Sequence, residues 1–215
     1  MFRKITVVFM LMVLTSGCQT LYNTTLEKVF GMEKRKIFKK SVEDVNANQK
    51  KAQETFKDSI TKLKELYNFN GGNLEVIYNK LKSSHDASQS QADKVHDRIS
   101  NMDGVAKSMF SEWENEIRTF ANPAFAENSR RQLSETKTRY AQLIKSVRES
   151  EASMKPVLKQ LSDHVLYLKH NLNASSIGAL KGESTSIQTQ IESLIQHMNG
   201  SIREADVFIQ SLLKE

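Results

Sequence analysis

One cysteine, two prolines and eight glycines are all that this chain of 215 residues contains of those types. A lone Cys18 cannot close an intramolecular disulfide, so no internal cross-link staples the fold. So few helix breakers, set in a Lys-, Glu-, Gln- and Ser-rich background, argue for long helices over a compact sheet protein. No apolar run approaches the ~20 residues that a membrane-spanning helix needs. There is no G-x-x-x-x-G-K-[ST] phosphate loop and no G-x-S-x-G nucleophile elbow, which removes two common enzyme signatures. His85, His96, His164, His170 and His197 show no metal-ligand spacing. No catalytic, cofactor-binding or metal-binding residue is therefore assigned. Large charge excess is missing too: the net charge is +6, falling by two to +4 without Arg3 and Lys4, and both signs are interleaved along solvated helical faces.

What is present begins at the amino terminus. Arg3 and Lys4 precede an apolar core from Ile5 to Leu14 and the small residues Thr15, Ser16 and Gly17. That is the build of a signal peptide over residues 1–17, and its apolar stretch is about half the length of a transmembrane helix. Leu14-Thr15-Ser16-Gly17-Cys18 resembles a bacterial lipobox, with Thr15 where Leu is commonest. The resemblance implies that Cys18 receives a diacylglycerol, the leader is cut before it, and the new terminus is acylated, as with palmitate. Gln19 in place of Asp implies outer-membrane sorting, the protein facing the periplasm. Secretion with a free thiol is the other reading of the same segment. Several acyl chains, at ~0.8 kcal/mol per buried CH₂, make such an anchor permanent.

A short tether over 18–23 leads into four heptad-like tracts within 24–215, expected as helices at about 24–68, 74–121, 124–171 and 175–214. Thr24 with Glu27, and Ser129 with Gln132, have capping-box spacing. The first apolar face includes Leu26, Phe30, Ile37, Val45 and Tyr67. The second runs Leu74 to Met109 at sevens, with a companion series from Tyr78 through His85 and Trp113 to Phe120. The third runs Leu133 to Leu168 at sevens, with Leu172 on its companion, and contains Pro156; the fourth runs Ile177 to Leu212, with Gly178 and Gly182 weakening its first turns. Asn68–Asn73 breaks the first pair, with Gly71 for a positive φ and Asn73 as N-cap; Asn122-Pro123 and His170–Asn173 make the other turns. The expectation is an all-α protein, an elongated up-down-up-down bundle of four long antiparallel helices with coiled-coil-like packing. A three-helix coiled coil with an outlying fourth helix is the alternative. The lean 39% apolar content suits a narrow rod.

This topology places the anchor, the Asn122-Pro123 turn and the C-terminus at a proximal pole. The turns holding Asn68, Asn70 and Asn73, and His170, Asn171 and Asn173, fall at a distal pole, where their amides form a candidate partner-binding tip; turn-making alone also accounts for them. Lys34, Arg35, Lys36, Lys39 and Lys40 form the densest basic run. Close to the anchor, it is a candidate contact with an anionic membrane surface, at ~1 kcal/mol per cation; a plain exposed face is the alternative. The leader speaks against nucleic acid as a partner. Glu112, Glu114 and Glu116 point to different sides of one helix, and His85 reads as a core histidine. Met102, Met109, Trp113 and Phe120 fit either core or a lipid-binding groove.

The words YNFNGGNLEVIYNKL (67–81), SEWENEI around Trp113, RRQLSETKTRYAQLI (130–144) and VLYLKHNLNASSIGAL (165–180) resemble the bacterial domain of unknown function 2959 family over nearly all of the mature chain. The resemblance implies a small helical, lipoprotein-like envelope protein without established activity. Some similar sequences carry ATPase or DNA-repair names, which the missing phosphate loop does not support. Function is thus expected to be a non-enzymatic, lipid-anchored periplasmic spacer, scaffold or adaptor with an envelope partner at the tip. A lipid- or amphiphile-binding protein whose bundle opens is the alternative, with a hydrolase more distant. Heptads buried within one chain look the same as heptads pairing chains, so oligomeric state stays open.

Overall fold

The structure, a computed structural model, describes residues 16–212, with side chains from Lys34 onward except that of Ala174. The leader expected at 1–17 lies outside the described residues apart from its last two positions. Five helices pack against one another: α1 (Ser16–Tyr67), α2 (Leu74–Ile117), α3 (Pro123–His170), α4 (Ala174–Gly182) and α5 (Ser184–Leu212). The described residues include no strand, and no helix long and apolar enough to cross a membrane. At 1.5 Å per residue α2 and α3 extend ~66 and ~72 Å.

Local chemistry sets most boundaries. Gly71 and Gly72 take positive φ, 133° and 107°, which lets the chain reverse between α1 and α2. The Asn73 side chain then accepts from the Glu75 N–H at 2.9 Å and starts α2. Asn122 accepts from the Ala124 N–H at 2.9 Å, with Pro123 at the first position of α3. α2 stops at Ile117 and not near 121, with the Arg118 N–H bonded to the Asn115 carbonyl as its cap, and the chain then runs through a turn to the extended Asn122 ahead of Pro123. Phe120, expected on the core stripe, is consequently exposed in the turn, and Leu172 likewise falls in a turn and is exposed. Neither expected capping box is used as one. Thr24 and Glu27 lie inside α1, which is already helical from Ser16 through 18–23, and Ser129 lies inside α3, accepting from Trp113 Nε1–H at 2.8 Å. The fourth tract is two helices, because Glu183 follows Gly182 as a cap between α4 and α5.

Buried residues repeat at alternating steps of four and three. On α1 the repeat is formed by Phe38, Val42, Val45, Gln49, Ala52, Phe56, Ser59, Leu63 and Leu66, with Ser41, Asn46 and Tyr67 buried beside it. This corrects the stripe read from sequence by one position at its start: Phe38 is 0% exposed and Ile37 is 54% exposed. One residue is ~100° of helix rotation, which carries a side chain from core to solvent. The series from Leu133 to Leu168 on α3 is buried throughout, as expected. Near one end of the core, the Phe38 ring meets Phe110, Tyr140 and Phe208 edge-on, with centroids 6.0, 5.5 and 5.5 Å away.

Polar residues on the same stripes are paired across helices. Ser150 Oγ donates to Gln49 Oε1 at 2.9 Å, Ser59 meets Ser84 and Ser88 at 2.9 and 3.2 Å, and Gln91 donates to the Asn48 carbonyl at 3.1 Å. Such pairs are satisfied in one register only, so they specify how the helices slide against each other. The pairings also fix chain sense. Between α1 and α2 they step from Lys34–Glu112 through Asn48–Gln91 to Glu65–Lys80, so these two run antiparallel. The same holds for α2 with α3 (Trp113–Ser129, Tyr140–Asp103, His96–Glu151) and for α1 with α5 (Asn46–Asp206, Gln53–Asn199).

Candidate functional site

The pairing Tyr67–His164 joins the end of α1 to the end of α3, so the turns 68–73 and 171–173 lie at the same end of the molecule. Their six expected recognition residues divide in two. Asn73 caps α2, Asn173 Oδ1 accepts from the N–H and Oγ of Ser176 at 3.0 Å each, and Asn171 Nδ2 donates to the Tyr167 carbonyl at 3.0 Å. These three side chains are engaged in making turns. Asn68, Asn70 and His170 are exposed. Sequence reasoning did not single out Leu166, Tyr167 and Val76, which are also exposed near this end. An isolated exposed apolar side chain breaks no helical rule, so the sequence carries no signal for it.

Just inside this end is the buried histidine. His85, expected in the core, is only half-buried beside Asp86. His164 is buried instead. The Gln160 carbonyl accepts at 2.9 Å from His164 Nδ1, so Nδ1 carries the proton and Nε2 accepts from the Tyr67 hydroxyl at 3.1 Å. Burial holds the His164 pKa below its ordinary value and pushes Tyr67 up to about 12; the carboxylate of Glu183 also faces both, and Asp163 faces His164. The folded protein therefore keeps His164 neutral where the unfolded chain protonates it, near pH ~6.5. Its contribution to stability is lost as pH falls from 7 toward 5. His96 has the opposite sign: the hydrogen bond to Glu151 raises its pKa, so its contribution is present at low pH and lost as pH rises. Chemical denaturation at both pH values should show His164→Gln losing less stability over this interval than wild type. Equal losses would count against a buried neutral imidazole.

At the opposite end the basic run meets the single tryptophan. Lys34 pairs with Glu112, Lys39 pairs with Glu43, and the Arg35 guanidinium lies 4.5 Å from the centroid of the Trp113 ring. Lys36 and Lys40 are exposed. Arg35, Lys36 and Lys39 of α1 line a cavity of about 170 Å³ with Met109 and Trp113 of α2, Thr136 of α3 and Leu212 of α5. Of the four residues expected in core or groove, Met109 and Trp113 thus reach a cavity, Met102 is fully buried, and Phe120 is in the turn. Two larger open grooves lie between α2 and α3. One, about 690 Å³, includes Ile117, Leu133, Arg118 and Lys137; the other, about 810 Å³, includes Met154, Pro156, His96 and Glu151.

The remaining candidates are accounted for by neighbours. Glu112 and Glu114 are tied to Lys34 and Lys137, and the Lys137 hydrogen bond lowers the Glu114 pKa, the reverse of what a general acid needs. His197 Nδ1 lies 2.7 Å from Ser153 Oγ. Among the described residues no group of His, Cys, Asp and Glu is arranged to hold a metal ion. Cys18 is in α1, and its side chain is outside the described ones. A family model described as a protein of unknown function (DUF2959) matches residues 22–212. No curated protein and no solved structure matches the chain.

Proposed function

The chain belongs to the DUF2959 family, whose description names no activity, and from that premise we propose a lipid-anchored, non-enzymatic spacer, scaffold or adaptor of the bacterial envelope. The observation that carries this reading is the lipobox-like Leu14-Thr15-Ser16-Gly17-Cys18 directly ahead of an all-helical body. In this reading acyl chains on Cys18 hold one pole at the outer membrane. The four tracts form an up-down-up-down rod, with α4 and α5 as the fourth, and the opposite end stands away in the periplasm. Asn68, Asn70 and His170 are the polar side chains that end offers to an envelope partner. Asn73, Asn171 and Asn173 serve the turns, so alanine there would perturb folding as well as binding.

The test combines two variants in intact cells. Cys18→Ala is expected to abolish acylation and cleavage of the leader before residue 18, read as lost incorporation of labelled palmitate and retention of the apolar core Ile5–Leu14 on the chain. Asn68→Ala/Asn70→Ala/His170→Ala is expected to stay anchored and folded while losing crosslinked envelope partners. Unchanged palmitate incorporation and leader cleavage in Cys18→Ala would refute the anchor, and an unchanged partner set would refute the tip. A second reading, binding of lipids or amphiphiles, has one specific support in the cation-lined cavity beside Trp113.

A further inference from the structure

The α1 stripe, followed back three residues from Phe38, arrives at Arg35. An apolar side chain is the rule along that stripe, yet here it is the exposed Arg35, whose guanidinium sits over the Trp113 ring, 4.5 Å from its centroid. A guanidinium held over an aromatic ring still has N–H groups with which it can fork toward an oxyanion. Lys36 and Lys39 bring two more cations to the same cavity, Lys39 from an ion pair with Glu43 that a more highly charged anion would compete with, and no carboxylate is among its lining residues, unlike either groove between α2 and α3. Its other walls are Met109, Trp113 and Leu212, with Thr136, whose hydroxyl already donates to the Gln132 carbonyl.

We infer that this cavity is a binding site for an organic phosphate, the phosphate ester end of an amphiphile. Three cations from separate side chains suit a tetrahedral anion with several charged oxygens, whereas one arginine fork satisfies a planar carboxylate. The apolar walls favour an ester over the bare ion, and a cationic ligand is repelled. About 170 Å³ is below the roughly 300–1,000 Å³ of sites that enclose drug-sized molecules, so a headgroup enters and an acyl chain stays outside. This assigns a ligand class to the amphiphile-binding reading and rests on that reading, not on the anchor. Loss of the Cys18 prediction would leave it standing.

The single tryptophan is its own reporter. Hexyl phosphate and inorganic phosphate are titrated separately into purified protein while Trp113 emission is followed, and thermal melting is measured with each. Hexyl phosphate should change the emission saturably and raise the melting temperature. Lys36→Gln/Lys39→Gln, which leaves Arg35 on the indole, should weaken the apparent affinity about tenfold or more, as loss of charge-assisted contacts implies. Lys50→Gln/Lys51→Gln removes equal charge from exposed positions of α1 and should bind as wild type does. Inorganic phosphate binding as tightly as hexyl phosphate would assign the site to the free anion, and weaker binding to an esterified, lipid-borne phosphate. No saturable response, or equal weakening in both double variants, overturns the site in favour of diffuse surface charge.

Discussion

Phe38→Ala is expected to lower the stability of the protein by about 3–5 kcal/mol, and Ile37→Ala by less than ~0.5 kcal/mol. Phe38 is fully buried, and its ring is held between three others from α2, α3 and α5. Truncation loses the transfer free energy of the ring and leaves a cavity that three helices must collapse to fill. Ile37 has more than half of its surface in water already. Urea denaturation of both variants measures the difference. Similar losses, or a larger loss at Ile37, would mean that α1 is rotated by one residue from the arrangement described here.

Ser150→Ala is expected to cost about 1–3 kcal/mol, and adding Gln49→Leu should recover most or all of it. Ser150 and Gln49 are 0% and 1% exposed, and the serine hydroxyl is a donor to Gln49 Oε1. Gln49 Nε2 has no hydrogen-bond partner among the described residues, so the amide is already half satisfied. Removing Ser150 Oγ strands the rest of it in the core. Replacing both partners by apolar groups removes the buried polar atoms altogether, which is often neutral or stabilising. The double variant should nevertheless be less specific in register, visible as broader amide resonances or a changed oligomeric state, because the pair no longer penalises a slipped alignment. A double variant as unstable as Ser150→Ala would show that the site cannot accommodate an apolar pair.

Much of the helical content was legible because its causes are local. Three or four residues decide a cap or a reversal, as Asn73 after Gly71 and Gly72 does, and as Asn122 before Pro123 does. The seven-residue series on α2 and α3 were legible because repeated apolar residues must share one face. The same rule failed on α1, where Ile37 and Phe38 are adjacent and both apolar, and where Gln49 and Ser59 occupy core positions that look like gaps. It failed again with His164, since a histidine on an apolar stripe reads the same whether its partner is water or the hydroxyl of Tyr67.

By itself the sequence determined an all-α chain, its turns and most of its buried faces, and the family to which it belongs, since each of these rests on residues close together in the chain. Tertiary structure alone decided which of two neighbouring apolar residues points inward and which of six turn residues remain available. It also decided that Arg35 rests on Trp113 within a cavity built from α1, α2, α3 and α5. Those outcomes depend on helix rotation and register between segments far apart in sequence, and both are set by the packing of the partner helix, which no local pattern encodes.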